Sequence, residues 1–136
     1  MKRTLALALA LACAPLAANA QGSTPPGTCA IVYPAQPIPG DAAHQAFALH
    51  MDIAPGRTAN MHFHTAAEYM SVNSGTGWLE VAGKRRISLV AGHVYMIAPN
   101  TMHRAHNTGA SHLTWTGFFV GKAGEKTHTT LKTSNM

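Results

Sequence analysis

From residue 21 onward, no window of this chain has apolar residues recurring at a helical period, which removes helical and α/β folds from consideration. What recurs instead is a period of two. Phe47, Leu49, Met51 and Ile53 alternate with Ala48, His50 and Asp52, as in a strand with one face buried, and Ala54-Pro55-Gly56 stops the run. Shorter strand-like pieces follow: Asn60 to His64, Glu68 to Asn73, Trp78 to Ala82, Arg86 to Val90, Val94 to Ile97, Met102 to Ala105 and His112 to Val120. Most are separated by Gly, Pro, Asn or Ser. Many short strands joined by such turns predict an all-β sandwich or small barrel.

The two ends read differently. Met1-Lys2-Arg3 is a short basic start, Leu5 to Ala12 is an unbroken Leu/Ala run, and Ala18-Asn19-Ala20 has the small residues a signal peptidase reads. Residues 1–20 are therefore read as a secretory signal peptide cleaved after Ala20, which predicts a periplasmic or secreted protein. The apolar run is too short to span a bilayer, so no stable membrane anchor is expected. A lipoprotein cleaved before Cys13 is the alternative, on a poor lipobox at Ala10-Leu11-Ala12. Residues 21–43 hold five of the eight prolines and read as an extended arm, with Ile31-Val32-Tyr33 pairing as an edge strand. Residues 44–121 form the barrel domain, and 122–136 a polar tail.

Removing Lys2 and Arg3 takes the formal net charge from +5 to +3, without a basic stripe or a basic-aromatic pattern, so nucleic acid is not an expected partner. Of the two cysteines, Cys13 leaves with the signal, and Cys29 is expected to have no intrachain partner. No histidine stands near Cys29 in the sequence, so it is not read as a nucleophile.

The chemistry concentrates in M-H-F-H-T-A-A-E-Y-M, residues 61–70. Residues i and i+2 of a strand share a face, so His62 and His64 project together and Phe63 points away. If Thr65-Ala66-Ala67 is a short bend, Glu68 can return to the same point. One further nitrogen would complete three histidines and a carboxylate, a set that suits transition metals and leaves positions for water or substrate.

These residues resemble the cupins. Gly56, His62, His64, Glu68 and Gly75 fit the first cupin motif, G-x(5)-H-x-H-x(3)-E-x(6)-G, at every fixed position. Gly92, Pro99, His103 and Asn107 are the counterparts of the second, G-x(5)-P-x-G-x(2)-H-x(3)-N. There the Gly-to-Pro gap is one residue longer and the Pro-to-His gap one shorter, and Asn100-Thr101 stands where the family has its glycine. Asn also tolerates positive φ, which keeps that turn feasible.

The resemblance covers roughly residues 45–120. It implies a single-domain jelly-roll β-barrel of cupin type. It also implies one divalent transition metal ion (Zn, Cu, Fe, Mn or Ni) on His62, His64, Glu68 and His103. An exported chain meets zinc and copper, which out-compete iron and manganese on affinity, so those two are expected in native protein. The implied activity is dioxygenase-type oxidation of a small organic substrate. Isomerase or decarboxylase chemistry, and non-catalytic metal or small-ligand binding, are the alternatives. Catalytic residues other than the metal ligands are unassigned.

With His103 inward, Ala105 and Asn107 also face inward, and Arg104 and His106 face out. His44, His50, His93, His106, His112 and His128 read as solvated. Met61 and Phe63 would point away from the ligands and need a cover, from the arm or from a second copy, and a homodimer is expected. Trp78, Trp115, Phe118 and Phe119 are assigned to core or interface.

Overall fold

A computed structural model describes residues 25–125. The expected signal peptide, the possible lipoprotein site at Cys13 and the tail beyond Glu125, with His128, lie outside the described residues. Within them the chain forms eight strands: β1 (Thr28–Ile38), β2 (Asp41–Ile53), β3 (Ala67–Ser74), β4 (Thr76–Val81), β5 (Ile87–Val90), β6 (Val94–Ile97), β7 (His103–Asn107) and β8 (Leu113–Lys122). They make two antiparallel sheets, one of order β1-β2-β8-β3-β6 and one of order β5-β4-β7. This is the all-β architecture that the alternation and turn residues predict, and the jelly roll that the cupin resemblance implies.

The period of two in β2 has a clear use. Phe47, Leu49, Met51 and Ile53 lie opposite Phe119, Gly117, Trp115 and Leu113 of β8, and these pairs form the inner face of the larger sheet. The smaller sheet contributes Leu79, Val81, Leu89 and Ala105, which pack with Ile53, Met70, Val72, Ile97, Leu113 and Trp115 into one core. Each fully buried Leu, Ile or Phe contributes about 1.5–3 kcal/mol relative to exposure. The core therefore sits between the sheets, and the ligand-bearing segments lie at its rim.

Two stretches differ from the sequence reading. The edge strand expected at Ile31-Val32-Tyr33 is an eleven-residue strand, β1, paired along most of its length with β2. Its prolines are tolerated because β1 has one neighbour and its register shifts fall at Pro34 and Pro37, between Tyr33 and Gln36 and between Pro37 and Ile38. Asn60 to His64, expected as a strand, is not a regular one. The stretch from Thr58 to His64 lies between two strands of the larger sheet but makes isolated bridges to β7 of the smaller one, Thr58 to His106 and His62 to His103. A segment crossing from one sheet to the other cannot keep a ladder with either. Cys29 is disulfide-bonded, which corrects the expectation of a lone thiol.

The outer face of the larger sheet carries a row in register across all five strands: Tyr33, Ala48, Phe118, Tyr69 and Met96. Four of its side chains are about half exposed or more: Tyr33 50%, Phe118 53%, Tyr69 48% and Met96 60%. The sequence placed the uncovered apolar face at Met61 and Phe63. Both are partly buried, and the exposed row lies on this other surface.

Candidate metal centre

His103 opens β7, and the alternation of that strand buries His103, Ala105 and Asn107 to 2%, 2% and 0% exposure. His62 meets it across an antiparallel pair that exchanges both backbone hydrogen bonds, His62 N to His103 O at 3.0 Å and His103 N to His62 O at 2.8 Å. The two rings therefore rise side by side, with centroids 4.4 Å apart. His64, two residues on, brings its ring to 4.9 Å from His62 and 5.2 Å from His103. One ring nitrogen from each of the three lies within 4.8 Å of the others, close enough to share one ion.

The unused nitrogens are tied down. His62 Nδ1 bonds the carbonyl of Asn60 at 2.7 Å, and His103 Nδ1 bonds that of Thr101 at 2.7 Å. A carbonyl only accepts, so each Nδ1 carries its proton and each Nε2 keeps its lone pair for a ligand. Both locks reach two residues back along the chain, a local geometry that histidine spacing does not announce.

Glu68 enters from β3, 2% exposed. Its Oε2 lies 3.3 Å from His64 Nε2 and 3.6 Å from His103 Nε2. Burial pushes its pKa up, but interaction with the adjacent His103 and His64 outweighs burial and holds it at about 2. Glu68 is thus a carboxylate at any ordinary pH. His62 is driven down to about 4, first by burial and then by the neighbouring His103, against the opposing bond to Asn60. It is neutral near pH 7, the form a metal requires. Three imidazoles and a carboxylate, with two rings fixed in the tautomer that frees Nε2, fit a divalent transition ion.

These shifts give the metal-free protein a defined pH dependence. Between about pH 4 and 6.5 the unfolded chain protonates His62 and the folded chain does not, so stability rises with pH across that window. Glu68 acts in the same direction between about 2 and 4.5. For His62 the drop from 6.5 to about 4 corresponds to on the order of 3 kcal/mol. Thermal unfolding of metal-free protein is expected to lose this stability as pH falls from 6.5 to 4, and His62→Asn to flatten that slope. An equal slope in both proteins contradicts the burial of His62.

The loop before β7 carries the departure from the family pattern. Asn100 has φ 58°, the one non-glycine residue with positive φ among those described, and so takes the backbone conformation of the missing glycine. Its N–H bonds the carbonyl of His64 at 2.7 Å, next to Thr101, whose carbonyl holds His103. The loop thus joins two of the three histidines. At the other end of β7, Asn107 Nδ2 donates to the carbonyls of Ile53 and Ser111, and its Oδ1 accepts from Gly109 N.

A family model described as the cupin domain matches residues 49–120, more than half of the chain. The chain belongs to the cupin family. No curated protein sequence matches this cupin. Solved structures do. KdgF from Halomonas sp. is 19% identical over 70% of this chain and 81% of its own, with a TM-score of 0.56. The DMSP lyase DddQ from Ruegeria pomeroyi DSS-3 is 14% identical over 63% of this chain, with a TM-score of 0.55, and this cupin spans 42% of its length. Oxalate decarboxylase from Lactobacillus farciminis is 21% identical over 57% of this chain and 26% of its own, with a TM-score of 0.52. At these identities the likeness is one of fold.

Of the other described histidines, three are engaged elsewhere. His44 bonds Asp41, His112 bonds Asp52, and His106 bonds Thr58 while stacking on Trp78. His50 and His93 lie away from the cluster, on β2 and in the turn before β6. The sequence reading missed the residues that surround the ligands. Phe119 packs edge-on to His64, with centroids 4.8 Å apart, and stacks on Phe47. Trp115 bonds Glu68. All three sit on strands whose positions relative to the site depend on sheet register, so no local signal points to them.

Proposed function

We propose that this cupin holds one divalent transition ion on His62, His64, His103 and Glu68 and uses it in dioxygenase-type oxidation of a small enolic or phenolic compound. The observation that carries the reading is the convergence of three imidazole nitrogens within 4.8 Å beside a buried carboxylate. When bound, the ion supplies Lewis acidity and, if redox-active, a centre for oxygen chemistry.

The chain's own part is narrower. Among the described residues the buried polar side chains are His64, Glu68, His103 and Asn107, and the Asn107 amide is engaged by backbone. Glu68 Oε2 is a ligand of the ion first, and accepts a proton from a substrate hydroxyl or carbon acid when its bond to the ion opens. Phe119 and the half-buried Phe47 give the site an apolar flank that suits a small organic molecule. Dioxygen is the oxidant, and both of its atoms end in the product.

Decarboxylation or elimination is the second reading, favoured by the same placement of Glu68 and by the lyase and the decarboxylase that share this fold. Mature protein purified without added metal is expected to contain one equivalent of a transition ion by elemental analysis. It is also expected to consume dioxygen with members of an enol and phenol panel. Turnover without dioxygen selects the second reading. No metal, even after reconstitution, overturns both and leaves a ligand-binding barrel.

The reading includes a second copy over the row Tyr33, Phe118, Tyr69 and Met96, since a row this exposed and apolar needs a cover. Light scattering is expected to give a dimer, with Phe118→Glu a monomer. A monomeric wild type at micromolar concentration removes this part.

A further inference from the structure

We propose that Trp115 is a positioning residue for the metal centre. Its indole N–H, together with the missing side chain at Gly117, holds Glu68 so that one oxygen is set aside and the other faces the histidines. This deepens the metal-centre reading above and rests on it.

Trp115 Nε1 donates to Glu68 Oε1 at 3.3 Å, and both residues are buried, at 4% and 2% exposure. The other oxygen, Oε2, is the one near His64 and His103, at 3.3 and 3.6 Å. The two oxygens of the carboxylate therefore have different partners. A carboxylate can offer both oxygens to one ion. Here Oε1 accepts from a buried N–H donor at 3.3 Å, in an interior where a carboxylate oxygen favours such a partner. Oε2 alone is left to act as a ligand, and the position that Oε1 would take is left to water or substrate.

Gly117 makes the contact sterically possible. On β8, Trp115, Gly117 and Phe119 share the inner face and lie opposite Val72, Met70 and Glu68 of β3. Gly117 is thus between the indole and the row that holds Glu68. A Cβ at position 117 would come 2.7 Å from Glu68 Oε1 and 3.0 Å from Phe119 Cε2. A side chain there would crowd Oε1 and push the carboxylate away from the position in which it meets the indole. The glycine and the tryptophan act as one device, two residues apart on one strand.

The test has two arms. The chain has two tryptophans, so 15N-labelled, metal-free protein gives two indole N–H signals, and Trp78→Phe assigns them. In Glu68→Gln the Trp115 signal is expected to move and its proton to exchange faster, with Trp78 unchanged. An unmoved Trp115 signal overturns the proposal.

In the second arm, Zn2+ affinity is measured by chelator competition for wild type, Trp115→Phe, Glu68→Gln and the double variant. Trp115→Phe is expected to weaken Zn2+ binding by about 10–100-fold. In the Glu68→Gln background it is expected to add no further loss, because it acts through Glu68. The same loss in both backgrounds means that the indole only packs, and the proposal falls. A wild type that takes up no Zn2+ defeats the metal-centre reading instead, and the indole signal, which needs no metal, still decides the contact.

Discussion

His103→Ala is expected to lose metal binding, and His106→Ala to keep it. The two residues stand three apart on β7, and the pleat sends them to opposite faces. His103 is 2% exposed, its ring lies 4.4 Å from His62 and its Nε2 3.6 Å from Glu68 Oε2. Removing it leaves two imidazoles and opens a void beside them. The loss in affinity should exceed the ~10–100-fold that follows removal of a supporting partner. His106 lies on the outer face, bonded to Thr58 and stacked on Trp78, and its removal costs a surface contact of about 1 kcal/mol. The backbone pairing of His62 with His103 does not depend on the ring, so His103→Ala should still fold, which circular dichroism checks. Titration of metal-free protein with Zn2+ separates the cases. Equal losses in both variants contradict the facing of β7, and full binding by His103→Ala removes the centre.

Asn107→Leu is expected to cost most of the stability of the domain. The side chain is fully buried and makes three hydrogen bonds to backbone: donors to Ile53 O at 2.8 Å and Ser111 O at 2.7 Å, and an acceptor for Gly109 N at 2.8 Å. These tie the end of β2 to the turn between β7 and β8. Leucine has a similar size and satisfies none of them. Each backbone group left without a partner in the interior costs about 1–3 kcal/mol. Three such losses are comparable to the 5–15 kcal/mol total stability of an ordinary domain. The thermal midpoint should fall by more than about 15 °C, at roughly 4–8 °C per kcal/mol for a domain of this size. A fall of less than about 5 °C would show that water takes over these bonds. Asn107→Asp should be worse, since it turns a donor into a charge facing two carbonyl oxygens.

Much of the fold was legible because the signals that build it are local. The alternation in β2 and β7 names the inward residues, and Gly75 and Gly92, with φ of 80° and 83°, stand in turns where the chain needs them. Asn100 could be read as a stand-in for glycine because its tolerance of positive φ belongs to the residue itself. The expected strand at Asn60 to His64 went astray for the opposite reason. Its pattern is that of a strand, but its neighbours belong to a different sheet from the strands on either side of it. The extent of β1 was hidden by its prolines, which rule out a helix but say nothing of an edge position with a register shift at each of Pro34 and Pro37.

By itself the sequence determined the strand period, the turns and a set of candidate metal ligands at recognisable spacing. Each of these patterns is local: one motif runs from Gly56 to Gly75 and the other from Gly92 to Asn107. Only the tertiary structure decided that His62 pairs with His103, that Trp115 and Gly117 reach Glu68, and which apolar face is left uncovered. Those contacts join residues far apart in the chain. They follow from strand order and register, which emerge when two sheets bury a common core and which no local pattern specifies.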